Sequence, residues 1–470
     1  MEAYRELVRK IGPDQAKFLL FAINDLVAVR NKTPSNKIID EAEKTEVFSL
    51  SFMRNSDAFF AYKNAAMLLN GLENEERGVL SESLAIKFQL AAFNNEHEFS
   101  FKFDHKAALP KRISVIIGKN GVGKSQTLGR IARSALKGTS ELTDGFGDRP
   151  LINRLLAFAP TNEAESVFPS DKLKRPLIWY RRFTMNRSRR AKRDDYVSDL
   201  VLQVARSPQE LAGKSRWALF EDAISAIANL SQLALTTSEP PHELISLSRL
   251  TSGSEQRLLE TFSNIDLKKE PVRVASGEAF PLSSGEISFM KFAAQASLHI
   301  ENGSLLLLDE PETHLHPNFI SKFIKLLNNL LSATGSAAII ATHSAYFVRE
   351  VFREQVNILS IDSENNVISQ PPNLRTFGAD VGSISYFVFG EDEPSLLASE
   401  VIDRILDNNF SWDEIYNDYK DELSLEALNT IRASLPGEVK SRISYPNLLS
   451  TIRQHLRIWQ TMTTSTVTPI

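Results

Sequence analysis

The chain has no cysteine among its 470 residues, so a disulfide framework, a thiolate metal site and a cysteine nucleophile are all excluded. It has no run of the roughly 18–20 apolar residues that a bilayer-crossing helix needs, and Met1-Glu-Ala-Tyr-Arg-Glu lacks the apolar centre of a secretion signal. A cytoplasmic location away from membranes is therefore expected. A surplus of positive charge is also missing. The formal net charge of −4 excludes a globally basic nucleic-acid binder and leaves only local patches for that role. There is no internal repeat, and the one biased tract is the Thr/Ser-rich stretch 461–468, which is expected to fray. What the chain does have is 42% apolar residues, enough at this length for a sizeable core and two or three lobes.

Residues 118–125 read Gly-Lys-Asn-Gly-Val-Gly-Lys-Ser and fit G-x-x-x-x-G-K-[ST]. In such a loop glycines let backbone N–H groups converge on phosphate oxygens, so Gly118, Lys119, Asn120, Gly121, Val122, Gly123, Lys124, Ser125 and the following Gln126 are the expected nucleotide cradle. Lys124 reaches the β/γ-phosphates and Ser125 ligates Mg²⁺. Residues 114–118 supply the preceding strand and 125–136 the following helix. A second apolar run, Leu305 to Leu308, ends in Asp309 and Glu310 and reads as a buried parallel strand. Ligands of open α/β sheets sit at the carboxyl ends of strands, which gives Asp309 to the Mg²⁺ shell and Glu310 to the attacking water. A third strand, 337–341, ends in Thr342-His343-Ser344 and brings His343 within reach of a γ-phosphate. The expected catalytic set is Lys124, Glu310 and His343, acting on ATP with Mg²⁺.

With Leu282-Ser-Ser-Gly-Glu286 lying between the first two blocks, the ordered set resembles the ATP-binding-cassette class, in particular its soluble SMC-like and RecF-like branch. The resemblance implies an α/β fold: an ABC-type P-loop NTPase head, a mixed sheet with a helical lobe, carrying N- and C-terminal helical additions. It also implies a head-to-tail homodimer or higher homo-oligomer in which Ser283, Ser284, Gly285 and Glu286 of one copy cap the ATP of another. Ser283 and Gly285 would face the γ-phosphate, with a helix starting near Glu286 aiming its positive end at the anion. Transporter cassettes differ in the signature and in the turn after Asp-Glu-Pro, where this chain has Glu312-Thr-His-Leu-His316. That stretch is instead similar to ATPase subunits of bacterial anti-phage systems, including the Septu ATPase PtuA and the ATPase half of overcoming-lysogenization-defect nucleases. The similarity implies a slow, regulatory ATPase controlling a separate effector, an HNH nuclease, with a retron reverse transcriptase and its RNA or DNA as further partners. The alternative is a RecF/SMC-like DNA-binding ATPase of DNA repair, although the stretch between Gly123 and Leu282 is too short for an SMC arm. No glutamine marks a Q-loop, since 157–162 offers only Thr161 and Asn162. Phe99, Phe101 and Phe103 alternate as a strand facing a core does, which competes with a role in stacking on adenine.

Residues 172–193 hold the densest basic patch and no acid. Arg181, Arg182, Arg187, Arg189, Arg190, Lys192 and Arg193 are candidates for phosphate contacts, with Trp179 or Tyr180 stacking on bases. A solvated loop behind a core strand at 177–180, or docking of an acidic protein, are the competing readings. The expected organisation is a mostly helical 1–80 with a strand-like 48–52, a first ATPase part at 81–165, a basic segment and helical lobe at 166–275, a second ATPase part at 276–390, and a helical partner-binding region at 391–470. Within the lobe 205–233 and 244–262 look helical, and beyond it 357–361 and 367–370 read as an edge hairpin. Helices are expected at 396–406, 412–420 and 448–458.

Overall fold

The structure is a computed structural model in which residues 2–435 are described apart from 34–35, 44, 46, 49–57, 59–60, 63, 71–79, 108, 110, 161–163, 174–175, 186–195, 212, 390–395 and 408–410. Two compact units, Met1–Gly390 and Glu391–Ile470, divide the chain. The strand-like 48–52, the Q-loop neighbours Thr161 and Asn162, and the helix expected at 448–458 lie wholly or mostly outside the described residues.

In the first unit the strands are β1 (Ser83–Gln89), β2 (Glu96–Lys102), β3 (Ile113–Gly118), β4 (Leu142–Thr143), β5 (Arg154–Ala159), β6 (Trp179–Thr184), β7 (Glu210–Leu211) and β8 (Lys214–Ser215). They continue with β9 (Leu233–Thr236), β10 (Leu244–Ser246), β11 (Val272–Ala275), β12 (Glu278–Pro281), β13 (Leu305–Asp309), β14 (Ala337–Thr342), β15 (Val356–Ile361) and β16 (Val367–Gln370). Seven of them form one sheet in the order β16-β15-β3-β14-β13-β5-β6, parallel except for β16. Every residue of β3, β13 and β14 is buried, as expected when both faces of a parallel sheet are covered. Because β14 lies between β3 and β13, the ends of all three strands meet along one edge. This is a mixed α/β sheet with the glycine-rich loop at the carboxyl end of β3, beside the ends of β13 and β14.

One face is covered by the helix Lys124–Lys137 and by the small antiparallel sheet β2-β1-β4, which share a core with β5 and β13. Phe99, Phe101 and Phe103 are buried in that core, so their alternation reports packing and they are not exposed for stacking on adenine. These strands form a sheet of their own. The other face packs the helices Val197–Arg206, Arg216–Ile224, Ser284–His299 and Pro317–Thr334. The lobe departs from an all-helical reading. It carries a four-stranded antiparallel sheet, β10-β9-β11-β12, and a β7-β8 hairpin. Leu244, Leu247 and Leu250 mimic helical spacing, yet the segment is β10 followed by a 3-10 turn, Leu247–Arg249, and Gly253 at φ 128 separates it from the helix Glu255–Asn264. The edge hairpin β15-β16 forms as the alternation implies.

The N-terminal described residues are helical: Glu2–Ile11, Pro13–Ala22, Leu26–Lys32, Lys37–Glu43 and Ala66–Leu69. The second unit holds the helices Leu396–Asp407, Trp412–Tyr419 and Leu425–Ser434 around Ile402, Ile405, Ile415 and Ile431. Among the described residues no helix is long and apolar enough to cross a membrane.

Candidate nucleotide site

β3 ends at Gly118 for a steric reason: a Cβ there would stand 2.3 Å from the Leu359 carbonyl oxygen of β15. Gly121 and Gly123 then turn the loop through left-handed backbone, at φ 82 and φ 94, which glycine adopts without Cβ strain and which points successive N–H groups inward. Val122 is buried and pins the loop to the core, while Lys119, Asn120, Gly121 and Gln126 are exposed. Lys124 opens the helix. Its Nζ donates to the carbonyls of Gly118 and Lys119, each at 2.9 Å, and lies 3.3 Å from His343 Nδ1. Burial pushes the ammonium down to about 8, against the opposing pull of Glu310, Asp309 and Glu312. Phosphate oxygens are stronger acceptors than these carbonyls, so an ammonium folded on its own loop is poised to exchange them.

Asp309 ends β13 fully buried, and Glu310 follows it in a left-handed conformation, φ 43 and ψ 54. That backbone is costly for a non-glycine residue and persists where neighbours over-determine it. Here Glu310 N donates to Ala341 O at 2.9 Å, and Thr313 donates to Glu310 O through N (3.2 Å) and Oγ1 (2.8 Å). The turn directs Glu310 Oε1 to within 3.0 Å of His343 Nε2. Nε2 faces a carboxylate that only accepts and so donates to it, while Nδ1 lies against the Lys124 ammonium. Burial and the Lys124 charge lower the His343 pKa, while Glu310 pulls it upward.

A residue that the sequence did not single out as a site residue completes the arrangement. Glu312 Oε1 accepts from Thr342 Oγ1 at 2.5 Å and from the His343 backbone N–H at 2.8 Å. Burial raises the Glu312 pKa, and those two hydrogen bonds only partly offset it.

Ser125 at the start of the helix and the buried Asp309 at the end of β13 fit a Mg²⁺ site, because Mg²⁺ is held by one or two protein oxygens with phosphates and water rather than by an all-protein cage. Accordingly, no group of three or more histidines and carboxylates arranged for a metal occurs among the described residues.

The signature residues are built differently. Ser283 is the N-cap of the helix Ser284–His299, which begins two residues before Glu286. Ser283 Oγ accepts from Glu286 N at 3.3 Å, and Glu286 Oε2 accepts from Ser283 N at 2.9 Å and Oγ at 2.8 Å. Arg273 of β11 adds a 2.5 Å bond to Glu286 Oε1. Burial would raise Glu286, but the hydrogen bonds from Ser283 and Arg273 outweigh it and hold the carboxyl low. Ser283 and Ser284 are exposed and Gly285 is buried. Within the chain none of the four is hydrogen-bonded to the P-loop, Glu310 or His343 among the described residues.

Of the basic candidates, Arg181 and Arg182 lie on β6 and are engaged. Arg181 Nη1 is 3.2 Å from His299 Nε2, and Arg182 donates through N to Asp171 Oδ1 at 2.8 Å and through Nη1 to Phe168 O at 3.3 Å. Arg187, Arg189, Arg190, Lys192 and Arg193 lie outside the described residues.

A family model described as "AAA domain, putative AbiEii toxin, Type IV TA system" matches residues 113–349. Protein ea59 of Escherichia phage lambda is 30% identical over 141 residues, which span 30% of this chain and 26% of that protein's length. Among solved structures, the SMC head domain from Thermotoga maritima is 14% identical with a TM-score of 0.30, over 63% of this chain and 100% of that chain. The cbiO1 protein from Clostridium perfringens, part of the cbiONQ ABC transporter complex, is 17% identical with a TM-score of 0.32, over 69% and 94%.

Proposed function

The chain belongs to the AAA-domain family whose model spans residues 113–349, and from that membership and the site's geometry we propose that it is the ATP-hydrolysing regulatory subunit of a bacterial anti-phage defence complex. The observation that carries the ATPase reading is the chain of contacts from Lys124 through His343 to Glu310, set on neighbouring strand ends beside the buried Asp309. In it Lys124 neutralises the β/γ-phosphates, Glu310 accepts a hydrogen bond from the attacking water and orients it, and His343 passes from Lys124 to the γ-phosphate. Ser125 and Asp309 would hold Mg²⁺, which would supply neutralisation of the phosphate charge. The family's description, with its toxin system, supports a place in defence. The finer proposal is that two copies sandwich ATP between one P-loop and the other's Ser283–Glu286 turn. Closure restrains or positions a separate nuclease, of the HNH type, and hydrolysis sets how long that closure lasts.

The test measures Mg²⁺-dependent phosphate release and nucleotide binding. Lys124→Ala is expected to abolish binding, and Glu310→Gln to bind ATP while losing turnover about 10²- to 10³-fold, the scale of removing one aligned polar group. Phosphate release by Glu310→Gln at the unsubstituted rate would sink the assignment. Recovery of the native complex with a nuclease subunit supports the defence reading, whereas DNA bound with no nuclease favours a repair ATPase.

A further inference from the structure

Glu312 sits two residues beyond Glu310 yet touches neither the P-loop nor Glu310 by any hydrogen bond among the described residues. One of its oxygens, Oε1, takes both of its donors from the neighbouring strand's end, the Thr342 hydroxyl and the His343 amide. The other, Oε2, is buried and meets no hydrogen-bond donor among the described residues. Desolvating a carboxylate is expensive, and the Thr342 and His343 donors on Oε1 partly offset that cost. The left-handed turn at Glu310 is what brings Glu312 back against β14, and the backbone of His343 is what it grips. The ring of that same residue bridges Lys124 at 3.3 Å and Glu310 at 3.0 Å.

We propose that Glu312 is a positioning residue for ATP hydrolysis, a clamp that fixes the His343 backbone to the turn after β13 so that the imidazole stays between the P-loop lysine and Glu310. Its role is geometric and acts through His343. It extends the ATPase reading of this site and rests on it.

Geometry and charge make opposite predictions at this position. Glu312→Gln keeps the length and one carbonyl-type acceptor for both donors but loses the charge. Glu312→Asp keeps the charge but is one methylene short of the two donors. The clamp predicts that Gln retains most of kcat, that Asp and Ala lose about 10- to 100-fold, the cost of deleting an outer-shell support, and that KM for ATP is unchanged in all three. A general-base or electrostatic role predicts the reverse order, with Asp active and Gln dead, and that result would overturn the proposal. With eight histidines in the chain, selective ¹⁵N-histidine labelling of the intact protein reads the His343 amide proton directly. Its downfield shift should persist in Gln and vanish in Asp. An amide unmoved in Asp would also overturn the clamp. This second readout needs no ATP, so a chain that hydrolyses nothing would refute the ATPase reading while the amide shift still reported on the clamp.

Discussion

Burial penalises the Lys124 ammonium, and that makes its behaviour testable. Its pKa falls from 10.5 in the open chain to about 8 in the fold because burial penalises the ammonium. Between these values the unfolded chain holds a proton that the folded one has released, so this group makes the nucleotide-free fold more stable as pH rises from about 8 to 10.5. Nucleotide binding has the opposite slope, since phosphates require the cation and the site must take up a proton above pH 8. Affinity for MgADP is therefore expected to hold below pH 8 and to weaken by up to about tenfold per pH unit above it. Titration calorimetry from pH 7 to 10 checks this, with Lys124→Arg, charged throughout, giving a flat profile wherever it binds. A decline identical in the arginine variant would place the titrating group elsewhere. Lys124, Asp309, Glu310 and His343 were legible as a set because each residue type stands at a motif position, Lys124 at the close of the loop after β3 and the others at or just beyond the ends of β13 and β14. Glu312 was not, because nothing in Glu312-Thr-His reveals that Glu310 adopts φ 43 and folds the next turn against β14.

At the scale of elements, the helix Ser284–His299 is fastened at both ends by unlike means. Its N-terminus closes on itself through the Ser283–Glu286 capping box with Arg273 behind it. Its C-terminal carbonyls, Ser297 O and Ile300 O, accept from the buried Arg216, whose guanidinium also meets Glu301. Glu301 in turn binds Arg5 of the first helix at 3.1 Å, so the N-terminal helices are tied to the far end of the signature helix. Ser283→Ala is expected to cost about 1 kcal/mol, the usual loss for a missing cap. Arg216→Met should cost about 3 kcal/mol because it strands a buried carboxylate, with Arg5 and Arg154 left to share it. Denaturant unfolding followed by far-UV dichroism measures both, and a larger loss for the serine would reverse this ranking. The strand–loop–helix at 113–137 and the hairpin at 356–370 could be read from period and motif. The sheet β10-β9-β11-β12 could not, because its strands are three or four residues long and β12 is exposed at every position, which leaves no alternation to detect.

For the whole molecule, the proposed dimer requires that another copy supply the Ser283–Glu286 turn. Within one chain Ser283 spends its hydroxyl on Glu286, and that hydrogen bond must open or be shared for the serine to meet a phosphate. A dimer joined by two nucleotides then has two composite sites, each with Lys124 from one copy and Ser283 from the other. This arrangement predicts complementation between two inactive variants. Lys124→Ala ruins a copy's own cradle but leaves its turn intact. Ser283→Asp keeps a good N-cap, so the helix stays formed, but adds a carboxylate where the γ-phosphate would lie. Each variant alone should release little phosphate. Mixed in equal amounts, random pairing makes about half of the dimers mixed, and each of these holds one intact site beside one doubly damaged one. Phosphate release by the mixture should therefore rise well above the mean of the two variants, to about a quarter of the unsubstituted rate if the sites act independently. A mixture no faster than its components, with mixed dimers demonstrably present, would mean that each site is completed within its own chain.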